Sequence, residues 1–594
     1  MQVRYSSLSS LVAARRGAAR IGAGVLVAAL VLTSCVAEPA QPVPSPSTAR
    51  GAPVSEPPRP ALASSTTLPA EQLTVIADAD PVVNAIAASA ALYAGAQLVI
   101  TAPAGDLAAQ LLASSAAVTL GVPLLLTPTT DAPATVAALE AEFDRLGATH
   151  VLGVGGDAAA PAAVAGRNGT REHLHVEATA TALGAILPGT PTATRVSGPG
   201  ALAAVAGLDP RSPMLLSLEP GQAATQAQTP TPVPAAERPL TLPRIRRAAP
   251  LTGGLVLAVN DPAQLAGAAT ARSAGASVLV VPADRPNPQA SAELVTAVAA
   301  ARSAAVIALG APFAGEASLE WKIRSAATGA QLPGGGQQLF PGRLLVALYG
   351  TPGTSALGVL GEQELPAAIA RAKSTAAEYD TLSDRPVVPM MEIIATVAAG
   401  AVGSDGNYSN EISAGSLRPW VEAAGAAGVY VVLDLQPGRT DFLTQAKRYE
   451  SLLELPHVGL ALDPEWRLGS TQRHLEQIGS VDAAELNRVV TWLADLTRDR
   501  ALPQKLLVLH QFSLKMIRNR AALDTSRAEL ALLLHVDGLG GQPAKQATWR
   551  ALQAGAPAGI AWGWKNFIDE DHPMLTPGQT MSQVAPVPDL ITYQ

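Results

Sequence analysis

Short apolar runs of strand length alternate with stretches of helical spacing along most of the chain. Between residues 72 and 165, LTVIA, AQLVITAP, GVPLLLTP and ATHVLGVGG read as strands. PVVNAIAASAALYAG and DAPATVAALEAEFDRLG read as helices, the second with Asp131 as its N-cap. Strands that are apolar throughout and set between helices predict a parallel sheet covered on both faces. The pattern then recurs. GVPLLLTP, a helix and HVLGVGGDAAAP are echoed by ASVLVVPADRP, the helix SAELVTAVAAA and AVIALGAPFAG, so about 253–330 reads as a second copy. A Pro/Thr-rich stretch at about 222–250 and a remnant, PMLLSLEP, lie between the two lobes. The segment GVGG, Gly153–Gly156, lacks the lysine of a phosphate loop and reads as a tight strand-to-helix turn.

After a glycine-rich break, LPGGGQQ (332–338), the period continues with LLVALYG, VVPMMEI, VYVVLDLQPG, VGLALDPEW, LLVLHQF, LLLHVDGLG and GIAWGW, most of them separated by helical stretches. Seven such strands in 339–594 fit a (β/α)8 barrel whose eighth strand is irregular or near a terminus. Each run ends in a polar or aromatic group: Tyr349, Glu392, Asp434, Asp463 with Glu465, His510 with Gln511, His535 with Asp537, then Trp562 and Trp564. In a barrel these strand ends converge on one mouth, where active sites are built. Strand alternation puts Asp463 and Glu465 on one face with Cα atoms roughly 6–7 Å apart, and Pro464 marks the strand's end. Two carboxyls so placed push their pKa values apart, so one acts as an acid beside a carboxylate, as glycosidic cleavage requires. The alternatives are helix capping and pairing with Arg467 or Arg439. Trp466, Trp562 and Trp564 are candidates to stack on sugar rings, whereas Trp420, Trp492 and Trp549 on helices are packing residues. A metal would need ligands from His510, His535, Asp434 and Asp537. The His-x-His strand end of metallo-hydrolase barrels does not occur here; His173 and His175 have that spacing but lie in the front half. Neither a metal nor another cofactor is expected, and no G-x-S-x-G elbow is present.

Composition sharpens this picture at the N-terminus. Arg4, Arg15, Arg16 and Arg20 precede an apolar run, Ile21–Leu32, too short to be a comfortable membrane span, which ends in Leu32-Thr33-Ser34-Cys35. Cys35 is the only cysteine of the 594 residues, so it forms no internal disulfide; its place after small residues predicts a lipoprotein signal, 1–35, with Cys35 lipidated. Residues 36–70, rich in Ala, Pro, Ser and Thr, are expected to be an extended tether, holding the folded part outside the cell membrane. Charged residues make up 15% with a net charge of −7 and no basic stripe, which argues against nucleic acid as a partner. No lysine precedes Lys322 and every tryptophan lies at or after Trp321, so the back half holds most of the groups able to recognise a ligand.

Two resemblances follow from these motifs. A small apolar helix, GVPLLLTP, a helix and LGATHVLGVGGDAAAP resemble the cell wall-binding repeat 2 family, most clearly over 72–165 and more weakly over 253–315. That resemblance implies Rossmann-like repeats that attach surface proteins to anionic wall polymers, three copies about a pseudo-threefold axis, of which two are visible in the sequence. The back half resembles glycoside hydrolase barrels of the lysozyme and chitinase types through its acid-x-acid strand end. The upstream aspartates of the chitinase pattern and the first-strand aspartate of the lysozyme type are absent. The expected architecture is therefore α/β: Rossmann-like cell wall-binding-type lobes at 71–330, then a (β/α)8-like barrel at 339–594. The expected function is hydrolysis or remodelling of an envelope polysaccharide, with Glu465 as proton donor and Asp463 orienting it. Asp434 or Asp537 would stabilise the sugar cation or guide water, and the remaining strand-end residues would bind substrate. The alternatives are a non-catalytic surface lipoprotein that binds wall glycan and a metal-dependent deacetylase or amidase.

Overall fold

The computed structural model describes residues 61–130, 132–156, 164, 171–219 and 241–594. The signal, Cys35, the tether up to residue 60 and Asp131 lie outside these. Helix Pro133–Leu146 follows Ala132, with Pro133 in its first turn. The proline-rich run ends at Pro60, and Leu62–Thr66, expected to be tether, is a strand instead, paired with Ile245–Arg246 and Tyr93–Ala96. Once prolines stop removing donors, Leu-Ala-Ser-Ser-Thr can join a ladder, and Leu62 is buried there.

The front half holds three parallel sheets rather than two lobes. In the first, Leu98–Pro103 lies between Leu124–Thr127 and His150–Val154, with Glu172–Val176 at the edge. In the second, Gly254–Val259 lies between Ser277–Val281 and Ala305–Leu309, and the edge strand is Leu73–Ile76. The strand read as opening the first unit thus completes the second, and the first sheet likewise takes its edge, Glu172–Val176, from the segment that leads into the next. The third sheet, Thr192–Val196 with Met214–Leu218, contains the stretch read as a remnant. The helices that follow Leu98–Pro103, Thr192–Val196 and Gly254–Val259 pack against one another: Leu107–Leu120, Ala201–Ala206 and Leu265–Ala274. Their Ala-, Gly- and Ser-rich faces let the backbones approach. Leu107–Leu120 is buried nearly all round, so its hydroxyls need partners: Ser114, Ser115 and Thr119 each donate to the carbonyl four residues back. Ser115 Oγ also accepts from Leu216 N, fastening the third sheet to this helix. The GVGG segment ends its strand in two left-handed residues, Gly155 and Gly156, with φ of 70° and 74°.

The back half is a closed barrel of eight parallel strands in sequence order. They are Leu344–Gly350, Val387–Ala398, Tyr430–Leu435, Val458–Leu462, Lys505–His510, Leu530–Val536, Ala561–Asn566 and Leu590–Tyr593. The first strand pairs with both the second and the eighth, which closes the ring. The eighth strand is the chain's last segment; Tyr593 is held from outside by Tyr379, hydroxyl to hydroxyl at 2.6 Å. Inward positions on the lower turns are apolar: Leu345, Ala347, Val388, Met390, Tyr430, Val432, Leu506, Val508 and Leu533 fill the interior with Leu332 and Leu339 from below. The glycine-rich segment expected to separate the halves therefore packs under the barrel. Gln337 is fully buried there and bonds to Ser325 and Ala330, while Trp321 Nε1 donates to Leu502 O. The lobes adjoin the N-terminal end of the barrel, opposite its mouth.

At that same end Lys505 is fully buried, donating to Leu455 O and Val458 O at 2.9 Å each, and burial lowers its pKa to about 7. The unfolded lysine holds its proton up to about 10.5, so between these values the unfolded state binds more protons and stability rises with pH. From pH 7 to 9.5 the wild type is expected to gain about 3 kcal/mol relative to Lys505→Met. Urea midpoints across that range test it, and parallel curves for the two proteins would refute it.

Candidate active site

The top inward layer of the barrel is polar all the way round. Each strand, or the residue directly following it, contributes one group: Tyr349, Glu392, Asp434, Asp463, His510, His535, Lys565 and Thr592. All eight are buried. They occupy one layer because side chains alternate along each strand and the phases agree around the barrel.

His510 is the hub of this layer. Its Nδ1 lies 3.0 Å from Asp537 Oδ2 and its Nε2 lies 2.8 Å from Glu392 Oε1, with Asp434 Oδ1 at 3.9 Å. Burial alone would lower its pKa, but Glu392 and Asp537 outweigh burial and hold it well above the usual value. An imidazolium donating to both carboxylates fits this geometry. The neighbouring His535, its ring centroid 4.8 Å away, is pulled well below the usual value by burial and by the His510 charge, so it is neutral. Gly563 makes room for it: a Cβ there would lie 2.7 Å from His535 Cδ2. Tyr349 donates to Asp434 Oδ2 at 2.8 Å, and Lys565 Nζ sits 3.7 Å above the Tyr349 ring. Burial, joined by Glu392, raises Asp434 to about 6 against the opposing pull of His510. Asp537 moves the other way. Burial would raise it, but its hydrogen bond and charge interaction with His510 bring it below the usual carboxylate value.

The acid pair is built differently from the expected strand alternation. The strand stops at Leu462 because Pro464 cannot donate to a ladder; Pro464–Trp466 form a single 3-10 turn with Asp463 as its N-cap. Asp463 Oδ1 accepts from Glu465 N at 3.2 Å, so the same-face relation does not apply, although both acids remain at the mouth. Asp463 is buried, and burial raises its pKa well above normal; Glu465 is partly exposed. Burial raises Glu465 to about 6, helped by the charge of Asp537 and opposed by Lys565 and His510. The charge acting on Glu465 thus comes mainly from the sixth strand. Neither arginine weighed as a partner holds the pair: Arg467 bonds Glu485 at 2.9 Å, and Arg439 lies over the Tyr408 ring.

Three expected substrate-binding residues, Trp562, Trp564 and Gln511, lie elsewhere, whereas Trp466 stays beside the acids. Trp562 and Trp564 point outward and pack edge-on against Trp549 of the helix layer, at 5.9 and 5.5 Å. The phase is opposite to the one expected, and Gly563 and Lys565 take the inward positions. Gln511 is buried and faces away, accepting from Arg520 Nη1 and donating to Ser513 O. Trp466 is half-buried on the turn beside the acids, edge-on to His474 at 5.3 Å. Lys565 and Thr592, which complete the ring, were not anticipated. The signal for Lys565 was its place two residues after Gly563 in a strand.

The fold and site define a (β/α)8-like barrel with a buried carboxylate, imidazole and lysine layer at its C-terminal mouth. No protein-family model and no curated relative matches the sequence. Among solved structures, Cwp6 from Clostridium difficile is similar at TM-score 0.33 and 13% identity, over 61% of this chain and 62% of that one. Cwp8 from Clostridium difficile is similar at TM-score 0.30 and 13% identity, over 44% and 52%. The chain spans less than two thirds of the length of either. Likenesses this loose bear on neither the fold nor the chemistry.

Proposed function

We propose that the barrel hydrolyses a cell-envelope polysaccharide and that Glu465 is its proton donor. The observation that carries this reading is the contrast within the mouth. Glu465 is the acid of this group that reaches solvent, and it is held at about 6, whereas Asp434, Asp463, Asp537 and Glu392 are buried. A glycosidase needs an accessible acid protonated near neutrality beside a carboxylate. Asp463 orients Glu465 through the turn that it caps. Asp537, whose Oδ1 has no hydrogen-bond partner among the described residues, is placed to guide water or face a developing sugar cation. Release of reducing ends from isolated envelope polysaccharide, compared between the parent and Glu465→Gln, tests this. Binding without turnover would favour the glycan-binding lipoprotein instead.

The setting proposed with it is the outer face of the cell membrane. Cys35 carries the lipid and the three-sheet front half binds wall polymer, on the strength of the sequence motifs. Cys35→Ser is expected to move the protein from the membrane fraction to the soluble fraction. Full retention with membranes would sink the anchor.

A further inference from the structure

Proton donation by Glu465 leaves the floor of the ring without a role. Glu392, His510 and His535 come from the second, fifth and sixth strands, and one ligand-type atom of each lies within 4.8 Å of the others. We propose that these three residues bind one divalent transition-metal ion of the zinc type, through the Glu392 carboxylate and one nitrogen of each imidazole. This revises the expectation from sequence, which looked for a His-x-His strand end; here the two histidines face each other across adjacent strands at one register position.

The geometry supports the assignment in several ways. Glu392 stands between the rings, with Oε1 2.8 Å from His510 Nε2 and Oε2 4.0 Å from His535 Nδ1. Ligands held at about 2.0–2.2 Å around one tetrahedral ion lie roughly 3.3–3.5 Å apart, so shifts of under about 1 Å bring the set together. His535 is fully buried, and neither ring nitrogen makes a well-formed hydrogen bond among the described residues, the backbone of Trp564 offering only a weak contact. A buried polar atom so left is destabilising, and metal ligation removes that penalty. Asp434 Oδ1 is likewise buried and unpartnered, 3.9 Å from His510 Nε2, where it can hold a water on the ion.

The outer contacts fit as well. Asp537 Oδ2, 3.0 Å away, can accept from His510 Nδ1–H, which points Nε2 inward, the carboxylate–histidine–metal arrangement. His510 Nε2 faces Glu392 Oε1, so a metal ion and a proton would compete for one position. Two imidazoles with one carboxylate favour zinc-type ions over calcium or magnesium, which prefer oxygen ligands. All three residues stand on barrel strands, a rigid frame for a ligand set.

The test is independent of the Glu465 reading. Purified full-length protein in detergent, stripped with chelator and dialysed, is titrated with zinc chloride by calorimetry, and its cobalt(II) form is examined for visible d–d bands. We expect one ion per chain, with uptake lost in Glu392→Gln/His535→Ala and weakened about 10–100-fold in Asp537→Asn. Glu465→Gln should bind as the parent does, which separates this site from the proton donor. The proposal is overturned if the folded parent takes up no stoichiometric zinc, cobalt or manganese. It is equally overturned if uptake survives the double variant, or depends instead on His173 and His175.

Discussion

Glu465→Gln should keep the fold and the affinity for glycan while lowering turnover by about 10²–10⁴, the usual worth of a positioned general acid. The amide is nearly isosteric with the acid but has no acidic proton to give. Because burial and Asp537 hold Glu465 at about 6, the parent's rate should fall about tenfold per pH unit above that value as the donor loses its proton. Asp537→Asn removes the main negative charge acting on Glu465, so the alkaline limb should move to lower pH. Asp463 is not a main source of the raised value, so Asp463→Asn should disturb the turn more than the pH profile. Initial rates of reducing-end release from pH 4 to 9 distinguish these cases. An unchanged rate in Glu465→Gln would remove it from the chemistry. A limb that moves with Asp463→Asn and not with Asp537→Asn would reverse the electrostatic assignment.

The polar ends of six strands were readable in advance because each closes a continuous apolar run: Tyr349, Glu392, Asp434, Asp463, His510 and His535 all reach the ring. The side each strand presents was harder to read. A barrel strand is buried on both faces, so polarity does not mark its phase, and a shift by one residue exchanges inside for outside. On the seventh strand the large aromatics drew attention and Lys565 was missed. Trp562 and Trp564 suit the outer face because the helix carrying Trp549 offers them an apolar partner there. The eighth strand is only Leu590–Tyr593 and ends one residue before the chain does, too short for periodicity to register. The exchange of edge strands in the front half was illegible for another reason. Leu73–Ile76 looks the same whichever sheet it joins, and its pairing with Ala305–Leu309 is fixed by contacts more than two hundred residues away.

Replacing Asp571 by alanine should cost about 3–5 kcal/mol of stability, the usual penalty for breaking a buried ion pair from one side. Asp571 Oδ2 meets Lys545 Nζ at 2.7 Å, with side chains 0% and 2% exposed. The same carboxylate accepts from Phe567 N and Gly540 N at 3.0 Å each, and Lys545 also donates to Lys565 O. One pair therefore joins the helix Gln542–Gln553 to the loops that leave the sixth and seventh strands, directly behind the Lys565 of the ring. Without Asp571, Lys545 is a buried charge with no counterion, and two N–H groups lose their acceptor. Burial already pulls the Lys545 pKa down even with its partner present, so in the variant the amine should shed its proton more readily. The unfolded lysine keeps its proton over that range, so the variant's deficit should be largest at low pH and shrink as pH rises. Lys545→Met/Asp571→Leu removes both charges and should recover most of the loss, because well-packed apolar groups often match a buried pair. Urea denaturation of the three proteins at pH 6 and 9 decides it. A single-variant loss below about 1 kcal/mol, or a double variant no better than the single, would mean that the pair does not hold the mouth together.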